Sequence, residues 1–147
     1  MARTMMKSSP TAEKMVNAVE LLKSQHREVE DLFETFEGMS ERAFKGRMLC
    51  FEKIAHKLTC HARIEEKIFY PAVKEIDGDI VLESYEEHEI LKTMMRKIAA
   101  LDSGDETFKA KMTVLKELIE HHVKEEEELL FPKVESALGD ERLMELG

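Results

Sequence analysis

Two stretches of the sequence carry the same metal-binding residue types at the same spacing. One contains His61 followed by Glu65, and the other contains His122 followed by Glu126. In both stretches a proline stands ten residues after the histidine. Side chains four residues apart on an α-helix lie on one face, one turn apart. The spacing therefore predicts a metal-binding helix that occurs twice in this chain.

Two more histidines stand at matching distances before these stretches. His26 precedes His61 by 35 residues, and His88 precedes His122 by 34. Each half of the chain is thus predicted to be a helical hairpin, with one histidine on its first helix and the histidine–glutamate pair on its second. The side chains expected to point toward the axis of the bundle are His26, His61, Glu65, His88, His122 and Glu126.

A buried cluster of this composition needs cations. A buried carboxylate without a partner costs several kcal/mol, and the sequence places two in the cluster. No lysine or arginine falls in phase with them. Two divalent or trivalent cations neutralise both carboxylates and use all four imidazoles. This mixture of nitrogen and oxygen ligands suits iron, manganese or zinc better than calcium or magnesium.

Apolar residues at three- and four-residue steps predict four long helices. A short fifth helix is expected after Pro132, and the long ones cover about residues 10–37, 41–70, 80–101 and 106–131. Pro71 is expected to kink or end the second helix. Long helices with short connections favour an all-α, up-down-up-down four-helix bundle with a short C-terminal helix. Residues 1–9 are expected to form a flexible tail, and residues 10–147 one domain.

The composition narrows the class of protein. The chain has 147 residues, of which 36% are charged, with only six glycines and three prolines. These values suit one domain of long, exposed helices better than a turn-rich β fold. The net charge of −9 argues against a nucleic-acid partner.

The sequence also predicts where the protein is found. The N-terminal stretch lacks the apolar segment of a signal peptide, and no later stretch is long and apolar enough to span a membrane. Cys50 and Cys60 are expected to be reduced thiols in or near the core, since nothing in the sequence pairs them. We therefore expect a cytoplasmic protein with no membrane partner.

The chain resembles the hemerythrin-like family, the histidine-histidine-glutamate cation-binding domains, in the order and spacing of His26, His61, Glu65, His88, His122 and Glu126. The resemblance covers nearly the whole chain, and it differs from the ferritin-like pattern of Glu-x-x-His. It implies that Glu65 and Glu126 bridge two iron ions, together with an oxo, hydroxo or water bridge. It also implies that the two histidines of each hairpin hold one of the irons.

One position departs from the oxygen carriers of that family. Those proteins have a second histidine on the third helix, four residues from the first. The residues four positions before and after His88 are Ser84 and Lys92, and neither is a usual iron ligand. The iron at His88 is therefore expected to keep an additional position open or filled by water, unless a neighbour supplies a ligand: Tyr85, Glu87 or Glu89.

Four further residues lie close to the predicted ligands in the sequence. His56 and His121 fall outside the inward-facing stripe and are expected at the surface or next to the ligands. Glu66 and Glu127 directly follow the two glutamate ligands. Both are expected to be either solvated or hydrogen-bonded to a ligand.

These features predict a non-haem di-iron protein that binds or senses dioxygen or a related small oxidant, such as NO or peroxide. The open position favours sensing, NO or peroxide chemistry, or iron holding, over simple oxygen carriage. The pattern indicates a binding or sensing protein more than an enzyme, and it identifies no protein partner. The alternative is an iron-binding, iron-sensing or structural metal module without oxygen chemistry, with zinc or manganese as the other candidate metals.

Overall fold

The computed structural model describes residues 17–40, 42–102 and 105–146, with only the backbone path for residues 139–146. All regular structure in these residues is helical, which confirms the predicted all-α class. The helices are α1 (Ala18–Glu37), α2 (Phe44–Ile64), α3 (Tyr70–Val73), α4 (Gly78–Ala99), α5 (Phe108–Glu125) and α6 (Phe131–Leu146). Two π-helical turns, Glu65–Phe69 and Glu126–Leu130, join α2 to α3 and α5 to α6.

The long helices form the predicted up-down-up-down bundle. Helix α1 packs on α2 and α4 packs on α5, as two helical hairpins. The hairpins meet where α1 packs on α6 and where α2 packs on α4. The predicted C-terminal helix is α6, and it continues directly from the second π-helical turn. This arrangement turns one face of every long helix toward a common axis.

Side-chain caps determine where two of the helices begin. At the start of α1, Asn17 Oδ1 accepts a hydrogen bond from the backbone N–H of Glu20 at 2.8 Å. At the start of α4, Asp77 Oδ1 accepts one from the N–H of Ile80 at 3.2 Å. Such caps satisfy N–H groups that have no partner within the first helical turn. The predicted start of the first helix at residue 10 lies outside the described residues.

The two prolines of the repeated stretch follow the π-helical turns, and neither proline ends its helix. In these turns Tyr70 N–H donates to the carbonyl of Glu65, and Phe131 N–H to that of Glu126, each five residues back. Proline removes one helical hydrogen bond and crowds the carbonyl four residues earlier. The wider turn takes up this mismatch. Pro71 therefore lies in α3, after an interruption of the α-helical geometry.

Two apolar clusters fill the bundle on either side of its middle. The hairpin-end cluster consists of Val29, Phe33, Phe36, Cys50, Phe51, Ile54, Leu58, Leu91, Ile98, Phe108, Met112, Leu115, Ile119 and Val123. The proline-end cluster consists of Ala18, Val19, Leu22, Phe69, Tyr70, Val73, Val81, Leu130, Phe131 and Val134. Within the described part of the chain, no helix is long and apolar enough to cross a membrane.

Both cysteines are free thiols. Cys50 is buried, and its thiol donates to the carbonyl of Leu32 at 3.3 Å. Cys60 is exposed, so the expectation that it lies in or near the core is wrong for this residue. It directly precedes the buried His61, and neighbouring residues on a helix point about 100° apart.

Leu115 tests the contribution of the hairpin-end cluster to stability. Its side chain is 0% exposed, whereas that of Leu49 is 58% exposed. We expect Leu115→Ala to lower the free energy of unfolding by about 2–5 kcal/mol, because it removes buried methyl groups and leaves a cavity. Leu49→Ala is expected to change it by less than about 0.5 kcal/mol. Urea unfolding of the metal-free variants measures both values, and equal losses would contradict the assigned core.

Candidate metal centre

The six predicted ligand residues meet in one buried layer between the two apolar clusters. Helices α1, α2, α4 and α5 each supply one histidine, and each π-helical turn begins with one glutamate. None of the six residues is more than 5% exposed. The structure thus brings together all the residues that the sequence predicted for the site: His26, His61, Glu65, His88, His122 and Glu126.

The four imidazoles form two pairs that face the axis of the bundle. The Nε2 atoms of His26 and His61 lie 3.2 Å apart, as do those of His88 and His122. In each pair the two ring centroids are 4.8 Å apart. Two such nitrogens can bind the same ion, since metal–nitrogen bonds are about 2.0–2.1 Å long.

The two carboxylates lie between the histidine pairs. Glu65 Oε2 is 3.3 Å from His61 Nε2, and Glu65 Oε1 is 3.0 Å from His88 Nε2. Glu126 repeats this arrangement, with Oε1 3.2 Å from an Nε2 of the first pair and Oε2 3.3 Å from one of the second. Each carboxylate therefore offers one oxygen to each histidine pair, as a bridging ligand does.

Two carboxylate oxygens in this layer have no hydrogen-bond donor among the described residues. They are Glu65 Oε2 and Glu126 Oε1, which face His26 and His61. Ligand atoms from these four residues all lie within 4.8 Å of one another, and so do those of Glu65 with the other two histidines. A buried carboxylate oxygen without a hydrogen-bond donor is costly. The donor set therefore fits two cations, one for each histidine pair.

Tyr70 is a further polar residue of this layer, and the sequence did not single it out. Its side chain is 0% exposed. Its hydroxyl lies within hydrogen-bond distance of Glu65 Oε1, at 3.0 Å, and of Glu126 Oε2. The same oxygen is 3.4 Å from His88 Nε2. The phenol therefore lies at the His88–His122 pair, where the sequence predicted an open coordination position.

The side chains considered for that open position lie elsewhere. Glu87 accepts a hydrogen bond from Nδ1 of His122, on the outer side of the ring, at 2.7 Å. The hydroxyl of Tyr85 donates to the backbone carbonyl of Glu66 at 3.2 Å. The side chain of Glu89 is 66% exposed. None of these three side chains therefore lies at the open position, whereas the Tyr70 hydroxyl does.

Each of the four histidines has a hydrogen-bond acceptor on its outer ring nitrogen, Nδ1. Such acceptors orient the ring and hold the proton on Nδ1, which leaves Nε2 free to bind a metal. The pairs are His26 with Glu127 (2.7 Å), His61 with Gln25 (2.6 Å), His88 with Glu66 (2.6 Å) and His122 with Glu87 (2.7 Å).

These hydrogen bonds decide between the two expectations for Glu66 and Glu127, and they add Gln25 and Glu87 to the site. Glu66 and Glu127 are hydrogen-bonded to predicted ligands rather than fully solvated. Gln25 and Glu87 were missed in this role. The signal that could have found them is their position, since each directly precedes a histidine on its helix. A residue in that position faces the neighbouring helix that carries the other histidine of the pair.

His56 and His121 lie outside the buried layer, at the surface, which is one of the two locations expected for them. The side chain of His121 is 67% exposed, and its Nε2 is 3.4 Å from a carboxylate oxygen of Glu87. His56 is also exposed, with its Nε2 3.8 Å from Cys60 Sγ.

Opposing effects set the pKa values in the buried layer. Burial lowers the pKa of His122, but the charge of Glu126 and hydrogen bonds to carboxylates raise it well above 6.5. Burial lowers the pKa of His26 too, and its interactions with Glu126 again raise it overall. Burial raises the pKa of Glu65, but the charge of His61 and hydrogen bonds from histidines hold it well below 4.5. A cation that binds here must therefore displace protons from the imidazoles.

Comparisons with known proteins agree with this geometry. The family described as "Hemerythrin HHE cation binding domain" matches residues 17–134. A crystal structure of a hemerythrin HHE cation-binding domain-containing protein from Mycobacterium kansasii has the same fold, with a TM-score of 0.78 and 24% sequence identity. That match covers 90% of this chain and 81% of the other.

A curated protein from a Nostoc species, named a DNA nickase, is 27% identical over 128 residues. The match covers 86% of this chain but only 36% of that protein. The chain thus spans a little over a third of this relative's length.

Glu127 tests the outer hydrogen bonds of the histidines. We expect Glu127→Ala to weaken metal binding by about 10–100-fold, because it removes the acceptor on His26 Nδ1. Glu128→Ala is the matched control, since Glu128 is the next residue and is exposed. Competition with a coloured chelator measures both affinities. Equal affinities in the two variants would show that the Glu127 hydrogen bond does not support metal binding.

Proposed function

Because this chain belongs to the hemerythrin HHE cation-binding domain family, we propose that it binds two iron ions and that it binds or senses dioxygen or a related small oxidant. The observation that carries the proposal is the pair of buried carboxylates, each with one oxygen toward each pair of histidines. A pair of ferrous ions supplies electrons and open coordination positions for such an oxidant. The residues proposed to hold the ions are His26, His61, Glu65, His88, His122 and Glu126.

The number of donors supports iron over zinc. The His88–His122 pair has two imidazole nitrogens, one oxygen from each of the two carboxylates, and the phenol oxygen of Tyr70 nearby. Zinc sites in proteins are mostly four-coordinate and tetrahedral. Five donors exceed what such a site uses, and imidazole together with oxygen donors suits iron.

Tyr70 is proposed as a fifth ligand of the ion at this histidine pair. Burial and the charges of Glu65 and Glu126 raise the pKa of the Tyr70 phenol well above 10, so it is neutral when no cation is present. A cation held by these residues would neutralise the two carboxylates and favour loss of the phenolic proton to solvent. Tyr70 would then supply the ligand that a second histidine on the third helix supplies in the oxygen carriers.

The DNA nicking in the name of the Nostoc relative is not proposed for this chain. The chain carries a net charge of −9, which repels phosphates. The histidines of the centre are at most 5% exposed, so a phosphodiester of DNA does not reach them. We propose that the part shared with that relative is the metal-binding bundle.

Oxygen exposure tests the proposed function. Protein loaded anaerobically with two equivalents of ferrous iron is expected to develop ligand-to-iron charge-transfer absorption when dioxygen, NO or peroxide is added. Protein loaded with zinc serves as the control, because zinc has no redox chemistry. A spectrum of the iron protein that none of the three oxidants changes would refute the proposal, and it would favour the alternative of a metal-holding module.

The two tyrosines of the chain provide a matched test of the fifth ligand. We expect ferric protein to show a visible phenolate-to-iron absorption band, with resonance-enhanced Raman modes of the tyrosine ring. Tyr70→Phe should lose the band and keep two irons per chain. Tyr85→Phe should keep the band, because the Tyr85 hydroxyl is bonded to a backbone carbonyl outside the centre. If wild-type protein with two irons lacks the band, Tyr70 is a hydrogen-bond donor and not a ligand.

A further inference from the structure

A cavity of about 30 Å³ begins at the four imidazoles and extends toward the hairpin-end cluster. We call it the chamber. A single water molecule needs about 10–15 Å³ by the same measure, so the chamber has room for a diatomic molecule. Its wall beyond the imidazoles is mostly aliphatic, and burial of an ion there would be costly. The aliphatic residues of the wall are Val29, Leu58, Leu91, Ile119 and Val123.

One groove on the outside of the bundle shares exposed and half-buried residues with the chamber. This groove runs between α2 and α4, and three of its residues also line the chamber: Thr59, Lys92 and Met95. Thr59 is exposed, and the other two are half-buried. These three side chains therefore reach from solvent to the chamber. We call them the portal.

The groove on the opposite side, between α1 and α5, is closed by buried residues. The residues that it shares with the chamber are Val29, which is 3% exposed, and Ile119, which is 5% exposed. Their aliphatic side chains form a wall between this groove and the chamber. The two grooves thus differ in the exposure of the residues that separate them from the centre.

The internal repeat explains the difference between these two grooves. Counted from the histidines, Thr59 corresponds to Glu120, because each lies two residues before its histidine. Met95 corresponds in the same way to Phe33, each seven residues after its histidine. Phe33 is only 3% exposed and fills its position in the hairpin-end cluster. Methionine is unbranched and flexible, so Met95 can move aside at its position.

We propose that small uncharged ligands reach the metal centre through the portal formed by Thr59, Lys92 and Met95. The proposal rests on the proposed function, since it names the route and the ligand class of the same site. The Lys92 ammonium lies 3.3 Å from the carboxylates of both Glu66 and Glu89. These contacts hold the charged end of the lysine away from the chamber, and its flexible stem covers the opening.

A bulky side chain in the portal tests the route. We expect Thr59→Trp to slow the association of NO or dioxygen with the reduced iron protein by at least about tenfold, within the range over which association rates vary among mutants. Glu120→Trp, at the corresponding position of the closed groove, should associate at the wild-type rate. Met95→Ala should associate as fast as wild type or faster. Stopped-flow mixing measures the rates, and the iron content and absorption spectrum show that the centre is intact.

Two outcomes of the kinetics would overturn the proposal. Wild-type rates in Thr59→Trp mean that ligands enter elsewhere. Equal slowing in Thr59→Trp and Glu120→Trp means that neither groove is the specific route.

Krypton binding tests the proposed route independently of the proposed function, because krypton enters an apolar cavity without reacting with a metal. Crystals of the metal-free protein under krypton pressure are expected to show an anomalous peak in the chamber, next to Leu58 and Leu91. A chamber without krypton would refute the proposed route. A krypton peak in a protein whose iron form ignores every oxidant would refute the proposed function and leave the apolar route standing.

Discussion

Two carboxylates buried next to each other inside an apolar bundle are the constraint on which the rest of this structure depends. Such charges persist in a protein interior only when they are paired or bind cations. Glu65 and Glu126 are both 0% exposed, and an apolar cluster lies on each side of their layer. The four imidazoles are the groups that, with cations, make this burial tolerable. Each long helix contributes one of them, so the layer ties all four helices together.

The repeat that builds the layer is symmetric in its ligands and asymmetric in its surroundings. Glu66 and Glu127 occupy matching positions and accept hydrogen bonds from matching histidines. Gln25 and Glu87 also match, but one is a neutral amide and the other a carboxylate. The His88–His122 pair therefore has two anionic acceptors and the phenol of Tyr70, while the other pair has one anionic acceptor. A carboxylate acceptor makes an imidazole a stronger metal ligand, so the two histidine pairs differ in their strength as ligands.

Most of the fold and the six predicted ligands could be read from the sequence, because helical periodicity relates spacing to direction. The four-helix bundle followed from the apolar steps. Four of the predicted ligand residues followed from pairs four residues apart, and His26 and His88 followed from their matching distances to those pairs. Tyr70 could not be found in this way. At 100° per residue, a side chain five positions after Glu65 points about 140° away from it. The π-helical turn, with its hydrogen bonds between residues five apart, brings both onto one face.

The π-helical turns also determine on which side of the imidazoles the carboxylates and Tyr70 lie, and the portal lies on the other side. The π-helical turns place Tyr70 and both carboxylates toward the proline end of the layer, where the packing is closed by aromatic and aliphatic side chains. The chamber lies on the other side of the imidazoles. The portal opens between α2 and α4, which carry one histidine from each pair. A small molecule that enters there arrives between the two histidine pairs, so both pairs are within its reach.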